Sequence, residues 1–371
     1  MPSAGERRGR VTVGLLADPD TPTDLAQELA EELPELLAAK VDDSHEWVIE
    51  VHSSPFSAQT EDSGTLVGRV ARRARREGWD IAIGLTELPI RAGGRPLVAD
   101  ASSSLRAAVI SLPALGGLRM RSRARTALVD MIRALHAGQD QVEAGAAKLA
   151  RRWTTPFRTS PVDDDLVDVR LVGTFARGRI RLLLGMVRAN RPWKLLPGLA
   201  KAMAAALATS AVATLNTTMW QVSDTLGTTR LALAMVGSIA LLVTWLIIDA
   251  ELWERVESST PDEREKAWYY NASTVITLLV GVGTCYVGLL LLNLMLAAFV
   301  LRPALLQQTF DHPVGVGSYF LLAWLVSSAA TAGAALGSSL ETDEAIRAAA
   351  YGRRERERRQ DLIDEADDQA A

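Results

Sequence analysis

The amino-acid sequence predicts a soluble α/β domain, a mainly parallel sheet with flanking helices, followed by an all-α four-helix transmembrane bundle. Three observations carry that reading. Strand-like and helix-like patterns alternate from residue 11 to residue 138, the order that builds a parallel sheet with crossover helices. Four apolar stretches follow, at 198–215, 231–248, 273–301 and 317–337, and the last three contain no charged residue. A ~30 Å hydrocarbon core takes about twenty helical residues to cross. Basic residues cluster in alternate loops, as the positive-inside rule requires of spanning helices.

In the soluble half, 11–17 reads as a buried strand and Thr23 or Asp24 can cap a helix that runs to Lys40. Residues 47–53 form a second strand. Helix 65–77 turns Arg69, Arg72, Arg73, Arg75 and Arg76 to solvent. Strand 79–85, a Gly93-Gly94 turn, an edge strand at 95–101, a strand at 107–112 and a helix at 122–135 complete the unit, with one antiparallel strand expected. The domain limits are 1–150. A linker with an amphipathic helix occupies 151–197, the four helices 198–338, and a charged tail 339–371. Glu6 to Arg10 precedes an apolar run of only seven residues that ends at Asp18-Pro19-Asp20, which reads as a strand and not as a signal peptide.

The third apolar stretch has 29 residues, which rise about 43 Å, enough for one tilted helix or two short passes turning near Gly281-Val282-Gly283. Charge decides the count. Arg177, Arg179, Arg181, Arg188, Arg191 and Lys194 precede the first stretch, and Arg255, Arg264 and Lys266 lie between the second and third. Arg347, Arg353, Arg354, Arg356, Arg358 and Arg359 follow the fourth, whereas the other two loops carry only Arg230 and Arg302. Four passes put every basic cluster on one side; five would expel the arginine-rich tail. The expected location is the plasma membrane, with both termini cytoplasmic. Thr260-Pro261-Asp262-Glu263 has the cap, first-turn proline and capping-box glutamate of a helix that starts before the membrane and runs into it unbroken. Trp193, Trp253 and Trp268-Tyr269-Tyr270 are expected at the inner interface and Trp220 and Tyr319 at the outer one.

At residues 177–191, Arg177, Arg181, Arg188 and Arg191 fall within about 80° of one another on a helix. They are therefore expected to face anionic lipid head groups, with a soluble helix docked on the domain as the alternative. Gly333-x-x-x-Gly337 suits close packing of helices. No acidic or basic residue lies inside the last three apolar stretches, which argues against a transport path.

Chemistry on a parallel sheet belongs at the carboxyl ends of its strands. Asp18 and Glu87 lie there and could form an acidic pair, but the favoured reading is that Asp18 and Asp20 organise the turn before the first helix while Glu87 begins a loop. The chain has no Gly-x-Gly-x-x-Gly, Walker loop, Gly-x-Ser-x-Gly or His-Glu-x-x-His. Four histidines are scattered without ligand spacing and Cys285 is the single cysteine, so no metal and no cofactor are expected. A net charge of −4 gives no basic excess for nucleic acid.

Ile83-Gly84-Leu85-Thr86-Glu87-Leu88, the Gly93-Gly94-Arg95 turn and Ala108-Val109-Ile110-Ser111-Leu112, followed by a helix, are similar to the strand order leading into the zinc helix of archaemetzincin-type proteases. Where that family has its zinc-binding histidines, this helix has Ala127-Leu128-Val129-Asp130-Met131-Ile132-Arg133, so the resemblance implies a zincin-like fold without zinc. The layout also resembles uncharacterised multi-span bacterial membrane proteins with an N-terminal soluble α/β domain. The function expected is a non-enzymatic scaffold or sensor acting through lipid, a protein partner or a second copy of itself. A membrane-bound enzyme at the Asp18/Glu87 edge is the alternative, and a transporter the second.

Overall fold

β1 (Gly9–Ala17) is the strand from which the N-terminal sheet grows. The computed structural model describes residues 9–56, 63–92, 95–138, 158–160, 167–190, 192, 199–254, 261–310 and 312–338. These fall into two units, one ending at Ala189 and the other beginning at Asn190. In the first, β1 is followed by α1 (Thr21–Lys40), β2 (His45–Ser53), α2 (Ser63–Glu77), β3 (Ile81–Thr86), β4 (Arg91–Ala92), β5 (Arg95–Ser102) and β6 (Ala107–Ser111). Next come α3 (Leu112–Leu115), α4 (Met120–Ala137), β7 (Arg158–Ser160), β8 (Val169–Val172) and α5 (Phe175–Ala189).

The strand order is β2-β1-β3-β6-β5-β8-β7, with β4 paired to β5. The first four strands are parallel, and β5, β8 and β7 continue the sheet antiparallel. The sheet is thus mixed, and 95–101 is an interior strand and not the expected edge. The reason is the link from β5 to β6. Only residues 103–106 join them, closed by the Arg106 N–H on the Ser103 carbonyl, with Arg106 at φ 48°. So short a link permits only an antiparallel pair. On the far side of β5, Arg170 of β8 puts its guanidinium on both oxygens of the fully buried Asp100, its register partner, at 3.0–3.2 Å.

Helices cover both faces. Leu66, Val67, Val70, Ala71 and Ala74 of α2 pack on Leu16, Ala82 and Val109. On the other face the alternating set Leu15, Ile83 and Ile110 lies fully buried, and α1 and α4 cover it. Burying a side chain of that size removes roughly 1.5–3 kcal/mol of unfavourable exposure.

The described residues within 158–189 form β7, β8 and α5, which belong to this unit and not to the expected linker. α5 docks on α3 with Leu182, Met186 and Val187 inward. The approach is close enough that a Cβ on Gly185 would stand 2.1 Å from the Pro113 carbonyl oxygen.

The second unit contains α6 (Ala200–Thr214), α7 (Thr217–Thr225), α8 (Thr228–Asp249), α9 (Pro261–Val300), α10 (Pro303–Gln307) and α11 (Val316–Ser338). Among the described residues three segments are long and apolar enough to cross a membrane: Thr228–Asp249, Ala267–Val300 and Val316–Ala335. Only 28%, 39% and 39% of their apolar windows are buried. The exposed remainder includes Leu233, Val236, Val287, Leu291, Met295 and Phe299, an aliphatic surface suited to lipid and not to water. α9 is one unbroken helix from Pro261, as the capping pattern predicts; Thr260 lies outside the described residues. α6 is shorter than the 198–215 stretch predicts. Its 15 residues rise about 22 Å, and Asn216, whose side chain accepts the Thr218 N–H, turns the chain into α7.

Two apolar clusters mark the ends of this unit. Leu199, Ala202, Leu246, Ala250, Leu278 and Ala335 meet in one, and Ala213, Trp220, Ala297, Leu301 and Leu322 in the other. Hence α6 and α9 run in one direction and α8 and α11 in the opposite one. Trp253 and Trp268 are exposed, whereas Tyr269 and Trp220, both expected at an interface, are buried, Trp220 with its indole N–H on the Thr214 carbonyl.

The Gly185 contact generates a prediction. Gly185→Ala should lower stability by roughly 3 kcal/mol, because the new methyl meets backbone and not a movable side chain. Gly237→Ala in α8, where nothing lies within 4 Å, should be neutral or slightly stabilising. Thermal melts of the full chain in detergent compare the two, and equal melting temperatures would refute the docking of α5.

Candidate functional site

At the carboxyl edge of the sheet, Asp18 follows β1 directly and is fully buried. Its Oδ1 accepts the Phe56 N–H at 2.7 Å and its Oδ2 the Glu87 N–H at 3.0 Å. Its own N–H donates to the Leu85 carbonyl, while its carbonyl accepts from the Thr23 N–H and Oγ. One aspartate therefore ties the end of β1 to the segments leaving β2, β3 and the start of α1. The hydroxyls beside it are used in the same way. Thr86 Oγ1 accepts the Leu88 N–H, and Ser111 Oγ donates to the Leu88 carbonyl. Asp18 and Glu87 do come together, but through the Glu87 backbone. A carboxylate enclosed and bonded by two amides works as a clip on the backbone, in line with the reading of Asp18 as a turn organiser.

A second constellation lies at the amino edge, built by the α1–β2 link, the first residue of β2 and the last turn of α4. Ser44 donates its N–H and Oγ–H to Asp42 Oδ1, at 2.9 and 2.7 Å. That aims Oδ2 at two imidazoles: His45 Nδ1 lies 2.8 Å away and His136 Nε2 3.8 Å. The Trp47 indole N–H donates to the Asp42 carbonyl at 2.9 Å, and its ring meets His136 edge-on, with centroids 5.1 Å apart. The three ligand-type atoms all lie within 4.8 Å of one another. The Ser44 donors and His45 hold the Asp42 carboxyl well below the usual carboxylate range. Burial, with His45 and Arg106 nearby, pushes the His136 imidazole down from its ordinary value. An ionised carboxylate and a neutral imidazole are the forms in which these groups donate electron pairs. An open depression lined by Glu35, Lys40, Asp42 and Asp43 adjoins them. Sequence reasoning missed this set because His136 arrives from a distant helix; the only local signal is Asp42-x-x-His45.

The arginines of α5 divide. Arg177 and Arg188 are exposed on one face together with Ile180 and Leu184, 60% and 49% exposed. Arg181 turns inward instead and donates to the Leu115 carbonyl at 3.1 Å. Burial and the neighbouring Arg123 push its guanidinium down to about 10. Its expected place among lipid head groups is corrected, since a face that packs on α3 cannot also meet lipid. Arg191 lies outside the described residues.

Within the helical unit, Asn293 of α9 donates to Ser210 of α6 and Ser327 of α11, at 3.2 and 2.9 Å. Tyr286 Oη and Ser328 Oγ are 2.9 Å apart. A Cβ on Gly333 would meet Thr209 of α6 at 3.6 Å, which places this glycine at a helix contact; the surroundings of Gly337 lie outside the described residues.

Asp18→Asn keeps one acceptor but turns an amide NH₂ toward a backbone N–H, so it should cost roughly 2–3 kcal/mol. A denaturant melt of the full chain measures this, and unchanged stability would mean that Asp18 is not a clip. Comparison with protein-family models, curated proteins and solved structures gives no match to this chain.

Proposed function

We propose that the chain crosses the plasma membrane four times, keeps both termini in the cytoplasm, and serves as a non-enzymatic scaffold or sensor whose α/β domain works at the cytoplasmic face. The observation that carries this reading is the division of polar groups in the helical unit. Asn293, Ser210 and Ser327 bond one helix to another, and no Asp, Glu, Lys, Arg or His lies well inside the three long apolar segments. Such polar groups hold helices together; a transport path needs groups that face a cavity.

Support for a fourth pass comes from α6, which starts in the apolar cluster at one end of the unit and finishes in the cluster at the other. The basic clusters then all lie on the cytoplasmic side. An enzyme at the Asp18 edge is disfavoured because that carboxylate is already bonded twice to backbone. Anionic lipid is the partner that suits the exposed face of α5: Arg177 and Arg188 alternate there with Ile180 and Leu184, a mixture that fits the boundary between head groups and acyl chains.

Reporter fusions after Ala371 and between α6 and α8 test the topology. A C-terminal reporter active in the cytoplasm and an inter-helix reporter active outside are expected. A C-terminal fusion active only outside would overturn the four-pass reading.

A further inference from the structure

We infer that Asp42, His45 and His136 form a binding site for a divalent first-row transition metal ion, zinc being the reference case. The inference concerns the N-terminal unit alone and is independent of how often the chain crosses a membrane. It reverses the expectation, drawn from spacing, that the chain holds no metal.

The geometry is near that of a bound ion. With metal–ligand bonds of about 2.0–2.2 Å, the donor atoms of a tetrahedral site stand about 3.3 Å apart. Here the two histidine nitrogens are 2.8 and 3.8 Å from the shared Asp42 oxygen, on either side of that value. All three donors lie within 4.8 Å of one another, so modest side-chain rotations bring them onto one centre. Two imidazoles and one carboxylate are a donor set suited to zinc and its neighbours, and unsuited to calcium or magnesium, which prefer oxygen.

The donors are also supported from behind. Ser44 holds Oδ1 of Asp42 with two hydrogen bonds and leaves Oδ2 as the oxygen turned to the imidazoles. The Trp47 indole fixes the backbone carbonyl of the same aspartate and its ring backs His136. On His136 the far nitrogen, Nδ1, is buried with no hydrogen-bond partner among the described residues, so Nε2 is the nitrogen it presents to the cluster. Orienting contacts of this kind typically change metal affinity 10–100-fold. An open depression adjoins the cluster at Asp42. Its Glu35 and Asp43 favour a cation, while Lys40 and Arg106 work against one. The competing reading is a hydrogen-bonded knot that merely ties α4 to β2.

Titration separates the two. The full chain, in detergent, free of any histidine tag and stripped with a chelator, is titrated with cobalt(II) and then with zinc(II). One equivalent of cobalt should bind with the visible absorption of a low-coordinate site, and zinc should displace it. His136→Gln, His45→Gln and Asp42→Asn should each weaken binding about 100-fold or more, while His52→Gln and His312→Gln leave it unchanged. Elution and circular dichroism matching the parent protein identify the variants that fold, and Asp42→Asn, the smallest change in shape, suffices if the others do not. No cobalt bound at micromolar concentration, or binding unaltered in a folded Asp42→Asn or His136→Gln chain, would overturn the inference.

Discussion

A polar group buried without a hydrogen-bond partner costs more than the bond would return, so the chain supplies protein partners for most of the polar side chains it buries. That constraint shapes both halves. In the sheet, Asp18 binds the backbone of two neighbouring segments and Asp100 binds Arg170 across β5 and β8. Among the helices, Asn293 reaches two serines, and the side chain of Asn271 serves both the N–H and the carbonyl of Glu254. Asparagine suits the second role because it is donor and acceptor at once. Removing such a residue costs more than the bond, since its partner is left buried and unbonded.

The periodic parts of the fold were legible in the sequence and the long-range parts were not. Alternating apolar residues disclosed β1, β3 and β6, and the uncharged runs disclosed α8, α9 and α11, because each signal is complete within one element. The direction of β5 depended on a four-residue link that reads locally as any loop. β8 is only four residues long, and its partner lies some seventy residues away in sequence at Asp100, so no window contains its reason for being a strand. α5 was visible as amphipathic, but its inward face was misplaced. A pattern that groups arginines cannot show that Gly185 meets Pro113 or that Arg181 has a carbonyl to bond. The candidate sites followed the same rule. Asp18 was noticed because it ends a strand, whereas Asp42, His45 and His136 became a group only when α4 was laid beside β2.

The amino-edge cluster and the carboxyl-edge clip sit at opposite ends of one sheet and differ in how much freedom they keep. At Asp18 the carboxylate is fully enclosed and both oxygens are engaged. At Asp42 one oxygen is fixed while the other faces two partly exposed imidazoles beside open solvent. The same side chain thus acts as a fastening in one place and as an open donor in the other. The difference lies in the number of backbone amides within reach.

The length of α9 has a mechanical consequence. Forty residues of continuous helix measure about 60 Å, twice a hydrocarbon core of ~30 Å. A rod of that length must lean or protrude, and thinning the surrounding bilayer increases one or the other. If it pivots at one end, a change in lean of 10° swings the other end by roughly 10 Å. Seated in a bilayer, such a helix would work as a lever, its long arm turning a small change in bilayer thickness into a displacement as large as the width of a neighbouring helix.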